Sequence, residues 1–276
     1  MSENVEVFLE QVPVFTLHEL IERLRQASSP EGMDSHKNVK SVAYNLIKNR
    51  RRTGKIGVIK EGVYYVVRPG TIPDTAPVDQ YLVTSKLSPD AVLAFHTALD
   101  VLGFGHSVFN TFYYFSKTYH RPVRFRGGQY RSVKAPPKLL KAGKELFGTT
   151  KIERLGVKIF TTDKERTLVE GLEHPEYCGG FEELYRSLEK IPYIQSEVVL
   201  DYLDIREQKN LYARVGFFLE QHREDLHVEE VFLHQLERNK PAQPVYWVPR
   251  RKGGVLVKRW NLIVPEAVKD RRWEEF

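Results

Sequence analysis

The first residues of the chain hold two segments with the hydrophobic spacing of short amphipathic helices, and their position constrains the fold more than any other feature. Apolar residues recur at i, i+3, i+4 and i+7 over residues 5–12, and Pro13 ends this first predicted helix. Thr16 and Glu19 then form a capping box, in which each side chain satisfies a backbone N–H of the other residue. The sequence therefore predicts a second helix that begins directly after Thr16.

A third predicted helix and a hairpin complete this region. Residues 27–34 have the composition of a loop, Ser35 can cap the helix, and a continuous apolar stripe extends over residues 39–47. Strand-forming residues follow on both sides of the turn at Glu61 and Gly62. Two helices, a third helix and a hairpin are the element order of a winged helix-turn-helix, although the loop before the third helix is longer than in the simple motif. We therefore predict a winged helix-turn-helix DNA-binding domain over residues 1–70.

Positive charge is concentrated in two runs that contain no acidic residue. Residues 35–60 hold eight Lys and Arg, and residues 101–144 hold nine, out of 42 in the chain. The rest of the chain therefore has 25 basic residues against all 36 acidic ones. Such segregation is expected of a protein that binds a polyanion.

The third helix places polar and basic groups opposite its apolar stripe, so this face is the predicted DNA contact. Ser41, Tyr44 and Asn45 lie near its centre and are suited to base edges in a major groove, whereas the basic residues towards its end are suited to phosphates. The candidate DNA-binding residues are Lys37, Lys40, Ser41, Tyr44, Asn45, Lys48, Arg50, Arg51, Arg52 and Lys55.

The second basic run is interleaved with seven aromatic residues between positions 112 and 130. Basic groups neutralise phosphates and aromatic rings stack on bases, so the run is a candidate second nucleic-acid patch. The alternative is that the aromatic residues fill the core and the arginines form a solvated face. The candidate residues of this patch are Arg121, Arg124, Arg126 and Arg131.

A proline-rich connector separates the N-terminal domain from a larger one. Residues 68–77 contain three prolines, which predicts a linker at 71–78 and a second domain over 79–276. In that domain we predict a helix over residues 91–102 capped by Ser88, strand pairs around 122–133 and 151–160, several later helices and two final strands. The predicted fold class is α+β, with a winged helix-turn-helix followed by a larger mixed α/β domain.

The sequence contains no strong signature of catalysis. Phosphate-binding glycine motifs, a G-x-S-x-G elbow and an H-E-x-x-H motif are absent, and the single cysteine, Cys178, excludes an internal disulfide and a zinc site built mainly of cysteines. Asp163 and Glu165 flank Lys164, but they fall in the first turn of a predicted helix that begins with a capping box at Thr162 and Glu165, not on a strand as in a metal-dependent nuclease. We expect no enzymatic activity, no cofactor and no bound metal.

Nothing in the sequence indicates export or membrane insertion. The first residues lack the basic and apolar pattern of a secretory signal, and no apolar run approaches the ~20 residues of a membrane-spanning helix. We expect a cytoplasmic protein that makes no membrane contact.

Four segments of the larger domain resemble the AbiEi family of transcriptional-regulator antitoxins. They are SKLSPDAVLAFHTALDVLG (85–103), TTDKERTLVEGLEHPEYCGG (161–180), VGFFLEQ (215–221) and RWNLIVP (259–265). The resemblance implies a repressor of its own operon that binds double-stranded DNA at promoter inverted repeats. It also implies an antitoxin that counters a nucleotidyltransferase toxin encoded beside it, usually without a stable complex.

Direct contact with the toxin, and binding of an RNA that the toxin would modify, stay open. Two alternatives from other classes also stay open: a DNA-targeted, nuclease-like enzyme, and a one-component regulator that senses a small ligand.

Overall fold

The computed structural model describes residues 2–27, 36–248 and 253–273. Its N-terminal part consists of α1 (Ser2–Gln11), β1 (Val14–Thr16), α2 (Leu17–Ala27), α3 (His36–Arg52), β2 (Ile56–Lys60) and β3 (Val63–Val66). The three strands form an antiparallel sheet in the order β1–β3–β2. A winged helix-turn-helix has this order of helices and a sheet in which the first strand pairs with the third. The predicted helices and hairpin are confirmed, while the proposed cap at Ser35 and the loop residues 28–34 lie outside the described residues.

The start of α2 shows how the sequence fixes local structure. The Thr16 N–H donates to the Glu19 carboxylate at 2.8 Å, and the Glu19 N–H donates to the Thr16 hydroxyl at 3.1 Å. The predicted capping box is thus present. Strand β1 was not predicted, because three residues are too few for a period-2 pattern. It forms because Val14 pairs with Tyr65 of β3.

The larger part contains a six-stranded mixed sheet, a helical layer and a small C-terminal sheet. Its first half consists of α4 (Gln80–Ser85), β4 (Val92–Leu93), α5 (His96–Val101), β5 (Thr111–Ser116), β6 (Val123–Phe125), β7 (Gly128–Lys134), α6 (Pro137–Ala142), β8 (Thr149–Arg154) and β9 (Val157–Thr162). Its second half consists of α7 (Lys164–Glu173), α8 (Phe181–Leu188), α9 (Ser196–Arg206), α10 (Lys209–Gln221), α11 (Glu230–Arg238), β10 (Val245–Tyr246), β11 (Val255–Val257), β12 (Leu262–Val264) and α12 (Glu266–Asp270). The sheet orders are β6–β7–β5–β4–β9–β8 and β10–β12–β11. The predicted α+β class is confirmed.

The two faces of the large sheet pack against different partners, because side chains alternate along each strand. Phe115 faces the main core, which is formed with the C-terminal helices and includes Leu168 and Leu184. Tyr114 and Tyr130 face the other way and share a second core with the N-terminal sheet. The six-stranded sheet therefore lies between the C-terminal helices and the winged helix.

The N-terminal sheet is covered on both sides. The helices of the N-terminal part bury Phe15 and Tyr64 on one face, while Val14, Ile59 and Tyr65 belong to the core shared with the larger part. The winged helix is thus attached through an apolar interface as well as through the chain. An excised winged helix would expose that apolar face to water.

The connector is packed as well. Within the predicted linker 71–78, residues Pro73–Thr75 form a 3-10 turn and Ala76 is buried. The Tyr65 hydroxyl donates to the Pro73 carbonyl at 2.9 Å. The exact boundary between residues 1–70 and 79–276 stays a prediction, but the connector is held against the sheet that precedes it.

The predicted helix over residues 91–102 is wrong in its first half. Val92 and Leu93 form strand β4 between β5 and β9, and Phe95 adopts a positive φ of 56° before α5 begins. The Ser88 hydroxyl does not cap a helix but lies 3.1 Å from the Ser116 hydroxyl. Pairing on both edges of β4 buries these apolar residues in the sheet, and this tertiary gain outweighs the local helical pattern.

The capping box predicted at Thr162 and Glu165 does not form, and the N-cap of α7 lies one residue later. The carboxylate of Asp163 accepts from the Arg166 N–H at 2.8 Å and is the N-cap of α7. The Thr162 hydroxyl instead lies 2.7 Å from the Thr167 hydroxyl in the buried interior.

Candidate nucleic-acid interface

Helix α3 has one buried and one exposed face, as its periodicity predicts. Val39, Ala43 and Ile47 are buried against α1, α2 and the N-terminal sheet. The opposite face is exposed, with 56% of Tyr44 accessible. Its exposed residues are Asn38, Lys40, Ser41, Tyr44, Asn45, Lys48, Asn49, Arg51 and Arg52.

Two exposed residues of this face, Asn38 and Asn49, were missed from the sequence. Asn49 follows Asn45 by four residues, so the helical period that selected Asn45 would also have selected Asn49. Both amides extend the polar row along the helix. Lys37 was among the predicted contacts, but its side chain lies outside the described residues.

Arg50, predicted to contact a phosphate, is paired within the protein. Its guanidinium forms an ion pair with Glu6 of α1, and only 19% of the side chain is exposed. The reason is its position on α3, on the flank that faces α1 and not on the exposed face. The next two residues of the chain, Arg51 and Arg52, are exposed, as a phosphate contact requires.

The hairpin that follows α3 contributes fewer basic groups to the candidate interface than a long wing would. Lys55, just before β2, is exposed beside the end of α3. The turn itself has two residues, and the Lys60 ammonium donates to the Leu87 carbonyl of the larger part at 3.2 Å. The hairpin tip therefore packs on the larger part, and the described basic groups of the interface come from α3 and Lys55.

We define the α3 interface as Lys40, Ser41, Tyr44, Asn45, Lys48, Arg51, Arg52 and Lys55. Residues 35–60 contain no acid, so no carboxylate from this segment opposes its positive charge. Hydroxyl and amide groups lie between the cations, where they can accept from or donate to base edges while the cations bind phosphates.

The second basic run divides into two environments. Phe112, Tyr114, Phe115 and Tyr130 are buried, which agrees with the alternative that these rings fill the core. All four arginines predicted for this patch are exposed: Arg121, Arg124, Arg126 and Arg131.

Arg126, a predicted member of the second patch, joins the two parts of the molecule through its guanidinium. It donates to the Tyr65 hydroxyl at 2.8 Å and to the carbonyls of Pro73 and Ala76. It also lies over the ring of Tyr65, 4.7 Å from the centroid. We call Arg126 and these three partners the Arg126 clamp. Arg126 lies 50 or more residues from each of its three partners in sequence, so no local pattern could have revealed the clamp.

An ion pair fixes the same relative position from another side. The Lys86 ammonium at the end of α4 pairs with the Glu19 carboxylate of the α2 capping box. The clamp, this ion pair and the shared core together set the direction in which the α3 interface points.

The acids of the TTDKERT segment have structural partners. Asp163 caps α7, and Glu165 accepts from the Gln195 N–H at 2.9 Å. The buried Arg166 guanidinium donates to Glu170 at 3.0 Å and also to two backbone carbonyls. Burial raises the pKa of the Cys178 thiol, so this cysteine is a poor nucleophile. Among the described residues, His, Cys, Asp and Glu form no group of three that could hold a metal ion.

Comparisons with known proteins show a fold neighbour. No family model and no curated protein matches the chain. Among solved structures, the chain is similar to the RV2827C protein from Mycobacterium tuberculosis, with a TM-score of 0.62 and 19% sequence identity. The match covers 100% of this chain and 94% of that one, so the likeness extends over both parts of the molecule. No helix in the described part of the chain has the length and apolar character to span a membrane.

Proposed function

We propose that the chain is a DNA-binding repressor of its own operon and an antitoxin against a nucleotidyltransferase toxin encoded beside it. The observation that carries the DNA-binding half is the α3 interface: an exposed, acid-free helix face that projects from a winged-helix arrangement. The four sequence segments that resemble the AbiEi family support the antitoxin half.

Recognition would place α3 in the major groove of double-stranded DNA. Tyr44 and Asn45 are central on the exposed face and would meet base edges, while Arg51 and Arg52 at its end would meet phosphates. Two copies on an inverted repeat would each present one such helix, because the symmetry of the site matches that of a protein pair.

The larger part would act by binding alone, in the cytoplasm, with no cofactor. The carboxylates that a nuclease would need are engaged in capping α7 and in holding the Gln195 N–H. Mg²⁺-dependent cleavage of DNA by the pure protein, lost on Asp163→Ala, would favour the nuclease-like alternative.

Selection of binding sites by the full chain tests the DNA-binding half. We expect salt-sensitive binding to the promoter duplex of its own operon, and an altered consensus for Tyr44→Ala and Asn45→Ala. Loss of one base contact costs about 1–3 kcal/mol at one position of the site. Tyr246→Ala removes an exposed tyrosine of the larger part and is the matched control. An unchanged consensus in both α3 variants would contradict this division of contacts.

Co-expression with the adjacent toxin tests the antitoxin half separately. We expect a variant with Arg51→Glu and Arg52→Glu to lose repression of the promoter and still protect cells. Failure of the unaltered chain to protect would remove the antitoxin half and leave the repressor.

A further inference from the structure

One edge of the six-stranded sheet exposes polar side chains on the face that elsewhere packs on helices. Arg124 of β6 lies opposite Gln129 of β7, and Arg131 lies opposite Tyr113 of β5. Directly opposed residues point to the same side, and so do residues two apart on one strand. These four side chains therefore share one face, which we call the sheet-edge face.

Aromatic rings continue this face towards the helical layer. The rings of Tyr113 and Tyr177 lie with centroids 4.9 Å apart, and His174 stacks on Tyr177 at 5.1 Å with an interplanar angle of 23°. All three are half-buried, so each ring is held by packing while part of it stays accessible. The outcome is a fixed row of rings beside two arginines.

The charge of the sheet-edge face is positive. Arg124 and Arg131 are exposed, and neither forms an ion pair with an acid in the described part of the chain. Burial raises the pKa of Tyr113, and the charge of the neighbouring Arg131 opposes that rise. The acid at the far end of the ring row is Glu176, which is paired with His174 at 3.0 Å.

We propose that the sheet-edge face binds single-stranded nucleic acid, at a site separate from the α3 interface. Arginines on the face of a sheet neutralise the phosphodiester backbone, and rings fixed beside them stack on bases. The Gln129 amide can bond the edge of an unpaired base. Such contacts need bases that are free of a duplex, because paired bases present no open ring face.

Fluorescence anisotropy of the full chain tests this site. The probes are a labelled 12-residue oligouridylate and oligothymidylate, with the promoter duplex as a third arm. Arg124→Ala with Arg131→Ala is expected to weaken single-strand binding tenfold or more and to leave promoter affinity unchanged. Arg238→Ala, an exposed arginine of α11, is the matched control.

The α3 variant with Arg51→Glu and Arg52→Glu separates the two sites. It should lose promoter binding and keep single-strand binding. The experiment therefore distinguishes failure of the proposed repressor function from failure of the proposed single-strand site. Binding of either oligonucleotide supports the proposal, and their difference shows whether the RNA or the DNA probe is preferred.

A ring variant tests the stacking part. Tyr113→Phe keeps the ring and should retain binding within twofold, whereas Tyr113→Leu should weaken it about tenfold. The proposal is overturned if both single strands bind the double arginine variant as well as the parent, or if that variant loses duplex binding alone.

Discussion

The neighbouring arginines Arg50 and Arg51 give a sharp test of the α3 interface, because they share chemistry and differ in environment. Arg50 pairs with Glu6, whereas Arg51 is exposed on the helix face. If the α3 interface binds DNA, Arg51→Ala should remove a phosphate contact. Arg50→Ala should remove mainly a contact within the protein.

The expected size follows from counterion release. The α3 interface has five basic residues, which are Lys40, Lys48, Arg51, Arg52 and Lys55. Each neutralised phosphate adds about −0.9 to the slope of log K against log salt, so five contacts give about −4.5 for each bound copy. Between 50 and 200 mM salt this slope corresponds to a loss of affinity of about 500-fold, and removal of one contact changes that ratio by about 3.5-fold.

The assay measures the affinity of the full chain for its promoter duplex at several salt concentrations. We expect Arg51→Ala to reduce the slope by about 0.9 for each bound copy, and Arg50→Ala to leave it nearly unchanged. Equal reductions for Arg50→Ala and Arg51→Ala would refute the assignment of Arg50 to the ion pair with α1.

Three further predictions concern stability. Arg126→Ala should lower the free energy of unfolding by about 1–2 kcal/mol, because solvent-exposed hydrogen bonds and a cation–π contact are lost. Arg124→Ala, two residues earlier, should have little effect in the same denaturant titration. Burial lowers the pKa of His222 to about 4, so the unfolded chain takes up this proton first as the pH falls from 6.5. Stability should therefore decline from pH 6.5 to pH 4 by up to about 3 kcal/mol through this residue, and His222→Gln should remove that part of the decline. Gly216→Ala would place a Cβ 2.1 Å from the fully buried Trp260 ring, so we expect the melting temperature to fall. An unchanged melting temperature would show that the ring can move aside.

Local chemistry determined the N-terminal helices and several turns. Three features illustrate this: the Thr16–Glu19 capping box, the stripe from Val39 to Ile47 and the turn at Glu61. In each of them the interacting residues are close together in the sequence. Such short-range patterns act through backbone hydrogen bonds and helical periodicity, which a sequence displays directly. The exposed face of α3 followed from the same periodicity.

Tertiary structure decided which groups of these elements are available. Arg50 and Arg126 belong to basic runs, and their sequence neighbours give no sign that one meets Glu6 and the other meets Tyr65. A guanidinium within reach of a carboxylate or a carbonyl forms a charge-assisted hydrogen bond, and only the packing of distant elements creates that reach. Likewise Val92 became a strand residue because β5 and β9 offered backbone partners on both sides of β4. The sequence by itself determined the N-terminal helices and the polar face of α3. The tertiary structure decided which cations remain free on that face and how the face is oriented relative to the larger part, because both depend on contacts between residues far apart in the chain.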